Sequence, residues 1–226
     1  MPRVRAEDLV PEGHRAVVVA PHPDDEVLGL GGLLVQLARL HRKILLIAAT
    51  DGTASHPHCP ALPAKRLGRI RAAETRDALA RLGVEDLTLV RLGLADGGLA
   101  AASRTLERSI LCCLRPMDVV FATWRFDGHP DHEAAGTAAR KAAALALARF
   151  VEVPIWAWHW GVPGDPSIPW SRARRLELGA ETLERKRYAV AAYSSQVSPG
   201  FQRDVAPVLP PSALARLLRS FEVAFV

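Results

Sequence analysis

Two short clusters of histidine and carboxylate carry the chemistry legible in this chain. The first, Pro21-His22-Pro23-Asp24-Asp25-Glu26, follows the apolar run Val17-Val18-Val19-Ala20. The second, Gly128-His129-Pro130-Asp131-His132, lies shortly after Val119-Val120-Phe121-Ala122. His22 and Asp25 can reach one cation from the end of a strand. His129 and His132 have the i, i+3 spacing that puts side chains on a common side of a helix. Two imidazoles and one carboxylate leave a coordination position for water, a pattern suited to catalytic zinc. Spacing alone leaves open which histidine of the second pair binds. Asp24 and Asp25 are adjacent, so their side chains diverge. One can hold a metal while the other faces the bound water as general base.

The elements that must bring these clusters together alternate in type. Strands are expected at 15–20, 43–49, 87–92, 118–123 and 153–158, and helices at 27–42, 67–82, 101–114, 131–149 and 177–192. A short helix is expected near 212–219. This alternation predicts an α/β fold whose mostly parallel sheet is covered on both faces. Polar segments at 21–26, 50–52, 124–132 and 159 each follow a strand. In such sheets ligands bind beyond the carboxyl ends of the strands. Pro130 suits the first turn of a helix, where its missing donor is not needed. The loop 53–65, with Pro57, Pro60 and Pro63, is long enough to cover a site. A length of 226 residues fits one domain spanning 1–226. Its N-terminal arm 1–14 and its tail 194–226 are expected to pack on the core.

Other readings are narrower. Gly29-x-Gly31-Gly32 lacks the third glycine of a dinucleotide fingerprint, because Leu34 stands there, and the acidic cluster before it would repel a pyrophosphate. These glycines read as packing residues. The net charge of +5 is spread along helical arginines, which argues against nucleic acid as the partner. Cys112 and Cys113 read as core, and the three cysteines form no disulfide framework. No run of about 18 apolar residues marks a membrane span. The N-terminus lacks an apolar signal core. A soluble, cytoplasmic protein is expected. Trp156, Trp158 and Trp160 would share one face of the last strand, with His159 opposite. Aromatic faces stack on sugar rings or fill cores. Trp160 and Trp170, flanking the loop 161–169, are expected to touch substrate, with Trp156 in the core and His159 facing the cleft. His56 and His58 are expected in solvent. The tryptophans suit an oligomer interface as readily as a sugar site, so oligomeric state stays open.

The two clusters together resemble the signatures of the PIG-L (LmbE-like) zinc-dependent N-deacetylases. Arg71-x-x-Glu74 and the stretch 187–196, RYAVAAYSSQ, resemble two further family patches. The resemblance spans about residues 15–200. It implies a Rossmann-like three-layer fold, with His22, Asp25 and His132 as zinc ligands and Asp24 as general base. It places His129 at the oxyanion or the leaving amine, and Arg71 near the sugar or its aglycone. Zn2+ is the implied cofactor, though such ligands also accept Fe2+. The implied substrate is a small N-acetylglucosamine-type conjugate. Two positions depart from the family pattern. Asp127 stands where several members carry an aromatic residue, and it would orient an imidazole or bind a sugar hydroxyl. Thr50-Asp51-Gly52-Thr53 also differs, making Asp51 a candidate acid behind the ligands. Asp131 would buttress a histidine or serve as a first-turn helix residue. Hydrolysis of another small amide and non-catalytic metal binding are the competing readings.

Overall fold

The computed structural model describes residues 1–57, 59–84, 86–198 and 207–226. His58 and part of the tail, 199–206, lie outside the described residues. The chain begins with a two-residue strand Arg3–Val4 (β1) and a short helix Ala6–Leu9 (α1). Then follow Ala16–Ala20 (β2), Asp25–Arg39 (α2), Ile44–Thr50 (β3), Ala64–Leu82 (α3), Thr88–Leu94 (β4) and Ser103–Cys113 (α4). Next come Val119–Thr123 (β5), Pro130–Leu145 (α5), Arg149–Val153 (β6) and Ala157–Trp160 (α6). The chain closes with Ala173–Glu177 (β7), Ala180–Val190 (α7), Ser194–Val197 (α8), Pro211–Leu217 (α9) and Phe221–Phe225 (β8).

The strands form one sheet in the order β1-β7-β8-β6-β5-β2-β3-β4. Strands β6, β5, β2, β3 and β4 are mutually parallel. β8 runs antiparallel to both β6 and β7. Residues of β2 are buried on both faces, which is why it reads as an unbroken apolar run. Val18 and Phe121 pack under α2, α3 and α7, whereas Val17, Val19 and Val120 pack under α4 and α5. The result is a Rossmann-like three-layer sandwich. From β2 the chain proceeds outward through β3 to β4, then returns to β5 on the other side of β2 and proceeds to β6. That reversal leaves a crevice between the ends of β2 and β5, the place where open α/β sheets take ligands. Both histidine clusters follow these two strands.

Several expectations are corrected. The fifth parallel strand ends at Val153, before Pro154, which lacks the N–H a longer ladder would need. The preceding helix accordingly stops at Leu145. Residues 157–160 form a helical turn, so the three tryptophans do not share a strand face. The arm 1–14 joins the sheet and core, with β1 paired to β7 and Leu9 and Val10 buried. The helix expected at 177–192 starts at Ala180, because residues before it form β7. Cys112 is exposed and Cys113 half-buried, because α4 turns Leu106 and Ile110 to the core instead.

The glycines of α2 do serve packing. A Cβ at Gly32 would collide with Leu178. Close approach there admits a buried ion pair. Lys186 Nζ donates to Glu222 Oε1 at 2.7 Å and to the Leu28 carbonyl at 2.8 Å. Glu222 in turn accepts the N–H groups of Gly32 at 2.7 Å and Leu33 at 2.9 Å. No described helix is long and apolar enough to cross a membrane.

Candidate metal centre

The first cluster is set by a tight turn. Thr50 Oγ1 donates to the Pro21 carbonyl at 2.9 Å, tying the end of β2 to β3. The His22 N–H donates to Asp25 Oδ2 at 2.9 Å. Between them Asp24 has φ 127° and ψ −30°, a conformation costly for a residue with a Cβ. Surrounding groups hold it there. Glu26 Oε2 accepts the Asp24 N–H at 3.1 Å, and Glu26 Oε1 accepts the Tyr193 hydroxyl at 2.7 Å. Arg71 Nη2 donates to Asp24 Oδ2 at 3.0 Å, and Nη1 donates to the Gly52 carbonyl at 3.0 Å. A Cβ at Gly52 (φ +62°) would occupy the space of the Arg71 guanidinium. Glu74, one turn along α3, accepts the hydroxyl of Ser195 at 2.7 Å and of Ser194 at 3.0 Å. The patch 187–196 therefore meets the first cluster through α3 and through Tyr193.

The second cluster begins at Asp127, which is fully buried. Its carboxylate accepts the N–H groups of Ile155 at 3.1 Å, Trp156 at 2.7 Å and Ala157 at 2.9 Å. The remaining partner is His132 Nδ1 at 2.7 Å. That bond places the imidazole hydrogen on Nδ1 and leaves the Nε2 lone pair free. Nε2 lies 3.5 Å from Asp25 Oδ1. His22 is disposed in mirror fashion. Its Nε2 sits 3.1 Å from Asp96 Oδ1 and 3.3 Å from Asp131 Oδ2, whereas its Nδ1 lies 3.3 Å from Asp25 Oδ2. Asp131 is itself anchored by the N–H groups of Gly97 at 2.7 Å and Leu99 at 3.1 Å. Asp25 thus stands between the inward nitrogens of two imidazoles.

His129 differs from its neighbours. As N-cap of α5 it accepts the Asp131 N–H on Nδ1 at 3.2 Å, so its ring hydrogen lies on Nε2. Nitrogens of His22, His129 and His132 all lie within 4.8 Å of one another, as do ligand atoms of His22, Asp96 and Asp131. Hydrogen bonding separates these groups. Asp96 and Asp131 hold the outer nitrogen of His22, and the Nδ1 lone pair of His129 is taken by the Asp131 N–H. What remains facing inward is His22 Nδ1 and His132 Nε2, with Asp25 between them. This donor set fits a divalent cation of the nitrogen- and oxygen-binding kind.

The electrostatics divide the two aspartates. Burial raises the Asp24 pKa, Arg71 opposes, and the charges of Asp25 and Glu26 add to the rise, leaving it at about 7. Burial also acts against ionised Asp25, but His132 and His22 outweigh it and pull the pKa below the ordinary range. Burial alone would lower His22. Its bonds to Asp131, Asp25 and Asp96 prevail and raise it well above the usual value. Burial and the neighbouring imidazoles hold His129 down at about 4.

A cavity of about 220 Å³ opens over these groups, walled by Ser55, Trp156, His159 and Gln196 among others. Arg71 and His159 line it, and Arg71 is spent largely on Asp24. Asp127 is positioned to orient His132 and is sealed from any sugar. Asp131 both sits in the first turn of α5 and supports His22. Three expectations fail to converge here. Asp51 points away and pairs with Arg91 at 2.6 Å. Trp160 donates its indole N–H to the Asp127 carbonyl at 2.7 Å and stacks on Trp124. Trp170 lines a different cavity. The aromatic wall is Trp156, edge-on to His129 at 5.1 Å and stacked on His159 at 4.2 Å. The expectation of a strand at 153–158 assigns it to the core instead. His56 bonds to Ser55 and does not line the cavity. Asp96 escapes the reading of the sequence. Its signal is a carboxylate in the turn 93–99, just past a strand end.

Comparison with known proteins follows the same outline. The family model described as GlcNAc-PI de-N-acetylase, PIG-L, matches residues 17–143. A 1D-myo-inositol 2-acetamido-2-deoxy-alpha-D-glucopyranoside deacetylase of Streptomyces scabiei is 30% identical over 213 residues, covering 79% of this chain. The match spans 62% of that relative's length. The crystal structure of a conserved protein from Thermus thermophilus superposes with a TM-score of 0.63 at 26% identity, covering 90% of this chain and 84% of the other. An N,N'-diacetylchitobiose deacetylase from Pyrococcus horikoshii shares the fold, with a TM-score of 0.61 at 18% identity and coverage of 88% and 76%. The family match covers more than half of the sequence and includes both histidine clusters, and on that ground the chain belongs to the PIG-L family.

Proposed function

We propose that this protein is a metal-dependent deacetylase acting on an N-acetylated amino-sugar conjugate. His22, Asp25 and His132 would hold the ion, zinc in the first instance, and Asp24 would serve as general base. The observation that carries this reading is the pairing of two adjacent, buried carboxyls with opposite proton affinities beside two inward imidazole nitrogens. The amino-sugar part draws on the printed activities of the relatives from Streptomyces scabiei and Pyrococcus horikoshii.

When bound, such an ion supplies Lewis acidity, which polarises an amide carbonyl and makes water a nucleophile at neutral pH. The chain's own residues do the rest. Asp25 stays ionised and faces the two imidazoles. Asp24, with a pKa of about 7, exchanges a proton near neutral pH, the condition for an effective general base. Arg71 restrains one Asp24 oxygen and leaves the other for the water proton. The amide carbon gains the water oxygen as its carbonyl becomes an oxyanion. His129 is neutral with its hydrogen on Nε2, so it acts by donating a hydrogen bond to that oxyanion. Asp24 then returns the proton to the departing amine, and the C–N bond breaks to give acetate and a free amino sugar. Trp156 and His159 offer a stacked surface for the sugar ring.

The test is acetate release from a panel of N-acetylglucosamine conjugates, with metal content measured in parallel. Asp24→Asn is expected to lower turnover by roughly 10²- to 10⁴-fold while retaining bound metal. Undiminished release in that variant would remove Asp24 from the mechanism. Absence of release from every conjugate by the metal-loaded protein would overturn the substrate class.

A further inference from the structure

The turn that holds Asp127 has a second side. Trp156 and His159 face the metal centre, whereas Ala157 and Trp158 face a separate cavity of about 410 Å³. Among the described residues none lines both. The walls of the second cavity are apolar, with Trp158, Ile168, Trp170 and Phe225 prominent. The indole N–H groups are already used: Trp158 donates to the Pro154 carbonyl at 2.9 Å and Trp170 to the Asp165 carbonyl at 2.8 Å. What these rings present to an occupant is carbon.

Among the described residues, the only charged side chains lining this cavity are Arg216 and Arg219. Arg216 Nη1 donates to the carbonyls of Trp158 at 2.9 Å and Gly161 at 3.1 Å, which fixes the guanidinium at the rim. The Arg219 guanidinium lies over the Trp158 ring at 5.3 Å from its centroid. Among the described residues neither arginine pairs with a carboxylate. An apolar chamber of this size falls within the range of small-molecule sites. Its two uncompensated cations select for an anionic head, through charge-assisted hydrogen bonds. A cationic head would be repelled. A sugar would find few partners for its hydroxyls, so this cavity differs in chemistry from the metal centre.

We propose that this cavity is a binding site for a free amphipathic monocarboxylate, with its aliphatic chain against Trp158, Ile168, Trp170 and Phe225 and its carboxylate on Arg219 and Arg216. The inference does not rest on the proposed deacetylase activity, because no metal ligand or proton carrier takes part.

Isothermal titration of the full chain with octanoate, octanol and octylamine tests it, with tryptophan fluorescence as a second readout. Octanoate is expected to bind at least about tenfold more tightly than octanol, the size of effect one charged hydrogen bond gives. Octylamine is expected to bind more weakly than either. Arg219→Gln is expected to weaken octanoate about tenfold and leave octanol unchanged. Val162→Trp, at an exposed residue of the cavity mouth, is expected to block all three ligands without unfolding the protein. Asp24→Asn is expected to leave octanoate binding unaltered. Equal affinity for octanoate and octanol would overturn the carboxylate assignment. Undiminished binding in folded Val162→Trp, or no binding of octanoate to the unmodified chain, would overturn the site.

Discussion

Two groups of charged side chains are buried along α2, one at its start and one at its middle, and they differ in charge balance. At the middle, Lys186 and Glu222 form one cation and one anion, and both bond to α2 backbone groups. At the start, the carboxylates of Asp25, Asp96, Asp127 and Asp131 surround only two imidazoles, His22 and His132. Even with both rings protonated the carboxylates are in excess. Buried charge by itself is therefore no mark of function. The mid-helix pair is complete as it stands, whereas the group at the helix start carries an excess of negative charge that an added divalent cation would reduce. The same contrast separates Asp24 from Glu222. One is a carboxyl whose proton is loosely held near neutrality, the other a carboxylate fixed by a lysine.

Lys186→Met puts this contrast under the most severe test. It leaves Glu222 buried without its cation and is expected to cost about 3–5 kcal/mol of stability, read from the urea midpoint. The metal affinity of the folded protein should not change. A loss within ordinary surface-mutation scatter would mean that the pair is not the self-contained support described above. Next in size is Asp127→Asn, which removes the carboxylate behind His132. Metal affinity, read by competition with a chromophoric chelator, is expected to fall about 10- to 100-fold. Retained affinity would separate Asp127 from the centre. The last effect is spread over a pH range. Asp24 has its folded pKa raised from an ordinary 3.8 to about 7. The folded chain therefore binds this proton more tightly than the unfolded chain. The associated stability is fully present below about pH 4 and is lost as pH rises toward 7. In the chelator-treated protein this group should lower stability by at most about 1.4 kcal/mol per pH unit across that window. Asp24→Asn should remove that part of the slope, and an identical slope in the variant would contradict the buried, proton-holding Asp24.

Much of this is legible in the sequence because the parallel half of the sheet obeys simple rules. β2, β3 and β5 are buried on both faces and read as apolar runs, and the crevice they form is where the two histidine clusters meet. The antiparallel extension is not legible. β7 reads Ala173-Arg-Arg-Leu-Glu177, with charge at three of five positions, and β8 contains Glu222 on its buried side. Neither has the strand pattern that local sequence reveals, because long-range pairing and the Lys186 partner decide them. The same limit explains Trp156 and Asp96. Trp156 reaches the cavity because Pro154 ends a strand that the alternating tryptophans would otherwise extend. Asp96 lies beyond an edge strand whose exposed residues give it no apolar frame. Asp24 and Asp25 can be assigned different duties from adjacency alone. Their proton affinities depend on Arg71, His22 and His132, which only the fold brings near.

The pairing of β2 with β5, Ala16 against Val119 through Val19 against Ala122, has a kinetic consequence. It joins segments about a hundred residues apart in the chain, and with them His22 to His132. Contacts of such separation close late, because their loop entropy must be met before they form. No fragment holding one cluster alone can assemble the proposed set of His22, Asp25 and His132. An ion that favours only the finished crevice will hardly hasten folding. It will act on the opposite limb, lengthening the lifetime of the native state.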